Sequence, residues 1–99
     1  MKVFISQPMK DKTNEEIKAE RARAVEVIKA KYNNEDVEII DSFFENAPHE
    51  AKPAWFLGKS ITLLSDADVV YFIKGWENYR GCKIENLIAR EYGYEIIEE

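Results

Sequence analysis

The chain has 99 residues, 45% apolar, 12% aromatic and 33% charged, the composition of one small globular domain. Its formal net charge of −5 argues against a nucleic-acid backbone or an anionic membrane as the main partner. One cysteine, Cys82, and one histidine, His49, exclude an intramolecular disulfide, a cysteine-built zinc site, a His–His metal pair and a Ser-His-Asp triad within one chain.

No run of about 18 apolar residues is present, and the apolar start at Val3 to Ile5 is too short for a signal peptide. A cytoplasmic, reducing setting is therefore expected. A domain this small buries only about 60–65% of its unfolded surface, so a homo-oligomer is expected as well.

Val3 to Ile5 reads as a buried strand, ended by the loop Ser6-Gln7-Pro8-Met9. Thr13-Asn14-Glu15-Glu16 matches a capping box, with Thr13 as N-cap. Ile17, Arg21, Ala24, Val25, Ile28 and Tyr32 then follow at helical spacing, and Asn33-Asn34 breaks the helix. Val37 to Ile40 is a second strand, ending near Asp41. Residues 42–53 form a polar loop carrying Phe43, Phe44, Pro48 and Pro53. Pro53 suits a first helical turn, and Leu57, Ile61 and Leu64 mark a second helix from Ala54 to about Ser65. Asp68 to Ile73 is a continuous apolar run, as a central strand requires. Gly75 to Gly81 is a loop. Ile84, Leu87, Ile88 and Tyr92 mark the apolar stripe of a third helix, stopped by Gly93, and Tyr94 to Ile97 is a last strand.

The order β-α-β-α-β-α-β predicts a single α/β domain over residues 1–99. Its expected form is a three-layer open sandwich of about four parallel strands in order 2-1-3-4 with three helices, flavodoxin- or Rossmann-like. Such sheets bind ligands beyond the carboxyl ends of their strands, at the switch between strands 1 and 3. That places Ser6 to Met9, Asp41 to Phe44 and Gly75 to Gly81 at the expected site.

The third loop and the helix after it hold the most chemistry. Gly75 and Gly81 permit turns and close approach to a ligand. Trp76 and Tyr79 suit stacking on a planar ring, or equally a subunit contact. Arg80 suits a phosphate or carboxylate, or is a solvated surface charge. Glu85 falls in about the first turn of the helix, at the edge of its apolar face, where the dipole favours the ionised carboxylate. An acid there also has a purely stabilising reading. Cys82 lies beside Arg80, Lys83 and a helix N-terminus, which lowers a thiol pKa, but no base accompanies it. His49 reads as solvated, as do Glu15-Glu16 and Glu98-Glu99, so no magnesium site is expected. With Gln7 and Pro8 in place of glycines, the first loop is not a phosphate loop, and no ATP or dinucleotide motif is present.

Met1 to Met9, Ala67-Asp68-Val69-Val70, Gly75-Trp76-Glu77 and Arg80 to Glu85 together resemble the nucleoside 2-deoxyribosyltransferase-like superfamily. The match is to a small phage and bacterial branch of unassigned function. The superfamily also contains deoxynucleoside-monophosphate N-glycosidases. In those enzymes an aspartate-hydrophobic strand leads through a glycine loop to a helix whose early glutamate attacks the sugar C1′. The resemblance implies that Glu85 is this nucleophile and that Gly81 matches the motif's first glycine, with Leu87 and Ala89 continuing the helix. It implies substrate contacts from Ser6, Gln7, Pro8, Met9, Asp41, Ser60, Gly75, Trp76, Arg80 and Gly81.

Three departures stand out. Lys83 replaces the second glycine, Gln7 replaces a first-loop glycine, and Ser60 falls where the enzymes carry an aspartate. Serine cannot act as that acid, and Glu77 and Asp66 are the nearby acids to stand in for it. The expectation is hydrolysis or transfer at the N-glycosidic bond of a deoxynucleoside or its monophosphate. It needs no metal or cofactor, and it involves neither a nucleic-acid polymer nor a membrane. The alternatives are a non-catalytic nucleotide-binding module and an oligomeric scaffold.

Overall fold

The computed structural model describes residues 1–33, 36–43 and 49–99; the expectations at Asn34, Phe44 and Pro48 lie outside the described residues. The elements are β1 (Lys2–Ser6), α1 (Asn14–Lys31), β2 (Glu38–Ile39), α2 (Pro53–Leu64), β3 (Val69–Phe72), a 3₁₀ turn (Trp76–Asn78), α3 (Arg80–Glu91) and β4 (Glu95–Glu98). The four strands form one parallel sheet in the order β2-β1-β3-β4, as the alternation requires. No helix among the described residues is long and apolar enough to cross a membrane.

Strand periodicity divides the core into two halves. Val3, Ile5, Val69, Tyr71 and Ile73 face Ala24 and Ile28 of α1. Phe4, Val70 and Phe72 face Leu64, Ala67 and Ala89, the side covered by α2 and α3. Helices therefore lie on both faces, and β1 and β3 at the centre are buried along almost their whole length.

Two elements differ from the expected boundaries. β2 shrinks to two residues. α3 begins at Arg80, several residues earlier than its apolar pattern suggests, because Trp76–Asn78 closes a tight turn and Tyr79 then hands the chain straight into the helix. Gly75 holds φ 94°, a left-handed conformation that starts this turn. Gly75 thus serves the backbone.

The larger correction concerns which face of α3 is buried. Its hidden residues are Cys82, Glu85, Asn86 and Ala89. Leu87 and Tyr92, half of the expected apolar stripe, are 57% and 78% exposed. The rotation brings two polar side chains inward, and each has partners. Asn86 donates to Glu98 and accepts from Arg90 at 2.7 Å, and Glu85 accepts from Ser6.

The sheet's far edge is pinned by acids expected to be solvated. Glu99 accepts from Arg23, from the Tyr71 hydroxyl and from the Lys74 amide, and Glu98 pairs with Arg90 at 3.0 Å. Burial, reinforced by Glu99, pushes the Tyr71 hydroxyl up to about 12, so it stays a donor at any ordinary pH.

α1 begins as its sequence dictates. Thr13 Oγ1 accepts from the Glu16 amide at 3.1 Å, and the Glu16 carboxylate accepts from the Thr13 amide at 3.0 Å. Replacing Thr13 by alanine should cost about 1 kcal/mol of stability. Urea unfolding checks this; an unchanged midpoint would mean the box adds nothing.

Candidate functional site

At the carboxyl ends of β1 and β2 the chain leaves a cleft of ≈ 710 Å³. Its β1 wall is the first loop, Gln7 to Lys10, followed by Lys12. Ser42 and Phe43 close it beyond β2. From α2 come Pro53, Phe56, Leu57 and Ser60, spaced i, i+3, i+4, i+7 and so on one helical face. From α3 and its approach come Tyr79, Arg80, Gly81, Cys82 and Glu85. A hollow of ≈ 420 Å³ continues it past Lys52 and Ala54, sharing Pro53, Leu57, Arg80 and Gly81 with the main cleft.

Glu85 is the chemical centre. It is only 6% exposed, and Ser6 Oγ donates to its Oε1 at 2.7 Å. Ser6 is fixed in turn, because it pairs with Phe72 across the β1–β3 ladder and its carbonyl accepts from the Ile73 amide. Burial pushes the Glu85 carboxyl up to about 7, against hydrogen bonds from Ser6 and Ser60 that favour the ionised form. This overturns the expected effect of the helix dipole. Glu85 is the sixth residue of α3, beyond the first turn where that dipole acts. Desolvation sets its proton affinity.

Cys82 is corrected in the same direction. Burial raises its thiol to about 11, and the neighbouring Glu85 carboxylate adds to this. It is an inert wall residue rather than an activated nucleophile.

The charges around the cleft are unlike those of the whole chain. In a protein of net charge −5, the described residues that line the cleft carry three cations, Lys10, Lys12 and Arg80, and one carboxylate, Glu85. Lys12 pairs with Glu20 at 3.3 Å. The N-cap residues of α2 and α3 give no side-chain cap, and residues of both first turns, Pro53, Ala54, Arg80 and Gly81, line the hollow beside Lys52. Gly81 has nothing within 4 Å of where a Cβ would stand. No packing within the described residues therefore requires a glycine there.

Of the residues predicted from sequence, Gln7, Pro8, Met9, Ser60, Arg80, Gly81 and Glu85 meet in the cleft, and Ser6 holds Glu85. Gly75, Trp76 and Asp41 are not among its walls. Trp76 instead packs on Phe72, ring centroids 5.2 Å apart, and joins the sheet core. Asp41 is exposed and faces Arg21. Among the described residues the aromatic side chains lining the cleft are Phe4, Phe43, Phe56 and Tyr79. Ser42 and Phe43 fall in the stretch Asp41 to Phe44 expected at the site; Lys10, Lys12 and Phe56 were missed, although the helical spacing of Phe56 to Ser60 was there to be read. Among the described residues no cluster of three or more His, Cys, Asp or Glu could hold a metal ion.

Residues 1–98 match the family described as a domain of unknown function, DUF4406, and the chain belongs to that family. Comparison with curated proteins and with solved structures gives no match.

The raised Glu85 pKa has a stability consequence. Between its ordinary value of 4.5 and about 7, the folded state holds a proton that the unfolded chain has released. Stability therefore falls as pH rises through that window, by about 3 kcal/mol in total. Glu85→Gln removes this loss. Its stability advantage over the parent should grow by about that amount from pH 4.5 to pH 8 in denaturant titrations. Parallel pH curves for the two proteins would show that Glu85 carries no such shift.

Proposed function

We propose that this member of the DUF4406 family breaks or exchanges the N-glycosidic bond of a deoxynucleoside or deoxynucleoside monophosphate, with Glu85 as nucleophile. One observation carries the reading. A carboxyl group is held by Ser6 at the floor of a cleft, buried, oriented and able to ionise near neutral pH.

A Glu85 oxygen attacks the sugar C1′ as the bond from C1′ to the base nitrogen breaks, through an oxocarbenium-like transition state. The bonding pair leaves with the base, which takes a proton from solvent. Water or a second base then attacks C1′ and breaks the ester, returning the Glu85 carboxylate. Ser6 Oγ and Ser60 steady the carboxylate before it attacks and again as the ester breaks. The cycle consumes only water or a base.

A 5′-phosphate would lie toward Arg80 and the hollow beside Lys52, where two uncapped helix N-termini favour an anion. The open space at Gly81 lets a ligand approach the α3 backbone there.

A second reading rests on a separate observation. Among the described residues Glu85 is the one carboxylate lining the cleft, whereas glycoside cleavage usually employs two. Ser60, which stands where the resembled enzymes have an aspartate, can donate a hydrogen bond but cannot serve as their acid. The alternative is a nucleotide-binding module without turnover.

Deoxynucleosides and their 5′-monophosphates incubated with the protein separate the two, with free base followed by chromatography. The proposal expects base release, lowered on the order of 10³-fold or more in Glu85→Gln. It also expects kcat/KM to rise with pH and level off above about 7, as the free enzyme's nucleophile ionises. Nucleotide binding without release would favour the binding module. Release that survives in Glu85→Gln would refute the assigned nucleophile.

A further inference from the structure

The corner of the cleft between β1 and β2 contains buried polar atoms that the fold itself does not use. Gln7 and Ser42 line the cleft and are 6% and 4% exposed. Gln7 Oε1 and Ser42 Oγ are buried without a hydrogen-bond partner among the described residues. Arg21 Nη1, on α1 behind this wall, is in the same condition. Such groups are rare in folded proteins, because each unmade hydrogen bond is a net cost to the fold.

Gln7 and Ser42 share the cleft wall, whereas Arg21 is not among the residues lining it. Gln7 Nε2 donates to the Ile17 carbonyl of α1 at 2.7 Å. One turn later, Arg21 Nη2 donates to the Ile40 carbonyl at 2.7 Å, two residues before Ser42. The Ile17 carbonyl also settles the Gln7 amide. Turning it over would set Oε1 against another oxygen, so Nε2 stays on Ile17 and Oε1 remains the open acceptor. The site therefore offers a fixed acceptor at Gln7 and, at Ser42, a hydroxyl able to donate or accept. Neither is an acid or a base, so the corner fits a neutral polar group rather than a phosphate.

We propose that this corner reads the edge of the ligand's heterocyclic base and selects one bearing an exocyclic amine, whose N–H is accepted by Gln7 Oε1 and whose adjacent ring atom meets Ser42 Oγ. A keto group in the amine's place would set its lone pairs against those of Gln7 Oε1. The inference rests on the nucleotide reading above and deepens it. The phosphate lies toward Arg80, the sugar over Glu85 and the base toward Gln7 and Ser42.

The test is equilibrium binding in the Glu85→Gln background, where turnover does not erode the ligand. The probes are two pairs that differ in amine against keto: deoxycytidine and deoxyuridine 5′-monophosphates, and deoxyadenosine and deoxyinosine 5′-monophosphates. In at least one pair the amine-bearing member should bind roughly tenfold more tightly. Adding Ser42→Ala or Gln7→Met should remove most of that preference. Ser42→Ala should also unfold at no lower a temperature than its parent, since it deletes a hydroxyl that the fold leaves unpaired. Should Gln7→Met fail to fold, Ser42→Ala alone decides.

Equal or reversed affinities within both pairs, or a preference that both variants keep, would overturn the inference while leaving nucleotide binding intact. Failure of all four nucleotides to bind would overturn this inference together with the function it rests on.

Discussion

Holding an ionisable carboxyl at 6% exposure is a demanding constraint on a domain of 99 residues. Desolvation opposes the charged form, and hydroxyl donors from Ser6 and Ser60 offset only part of it. The arrangement persists because both sides of the 2.7 Å contact are immobile. Ser6 sits in the ladder of the two central strands, opposite Phe72. Glu85 sits on α3 one turn before Ala89, which is wholly buried against the sheet. A loop could not hold two side chains so closely in a dry site. Parallel strands ending beside an inward-facing helix can.

The rest of the charge distribution is consistent with that centre. Most acids lie elsewhere, and two of them tie down the outer strand and its end: Glu98 on Arg90, and Glu99 on Arg23 and Tyr71. The first loop and the start of α3 bring Lys10, Lys12 and Arg80 to the cleft instead. A net-negative surface thus encloses a cation-rimmed pocket. That local field matters more to an incoming small anion than the overall charge does, because concave, low-dielectric walls focus it.

Sheet order, helix count and the α1 boundaries were all legible, because they follow from apolar periodicity and a complete capping box. Glu85 and the first loop were legible as positions, since parallel sheets leave their strand ends open at one edge. What periodicity misjudged was α3. Ile84, Leu87, Ile88 and Tyr92 make the better apolar stripe, yet the helix buries Cys82, Glu85, Asn86 and Ala89. The sequence cannot display the compensation, which lies in partners far along the chain: Ser6 for Glu85, and Glu98 for Asn86. Local pattern and fold disagree at the one helix that carries the candidate nucleophile, the kind of place where such conflict is expected. Trp76 misled for the opposite reason. Its loop position suggested ligand stacking, but the turn at Gly75 directs it back onto Phe72.

The cations and the raised pKa of Glu85 bear on each other once a ligand is considered. On the proposed reading the substrate can carry a phosphate, and excluding water as it binds would disfavour the Glu85 carboxylate further. Both the added negative charge and the added desolvation act to raise its proton affinity. A group already near 7 would then be largely neutral in the complex, and a neutral carboxyl is a poor nucleophile. Arg80, toward which that phosphate is proposed to lie, would oppose the drift by contributing positive potential where the phosphate adds negative. Its part in such a reaction would extend beyond affinity: by neutralising the ligand's charge, it would keep Glu85 ionised at the moment it must attack.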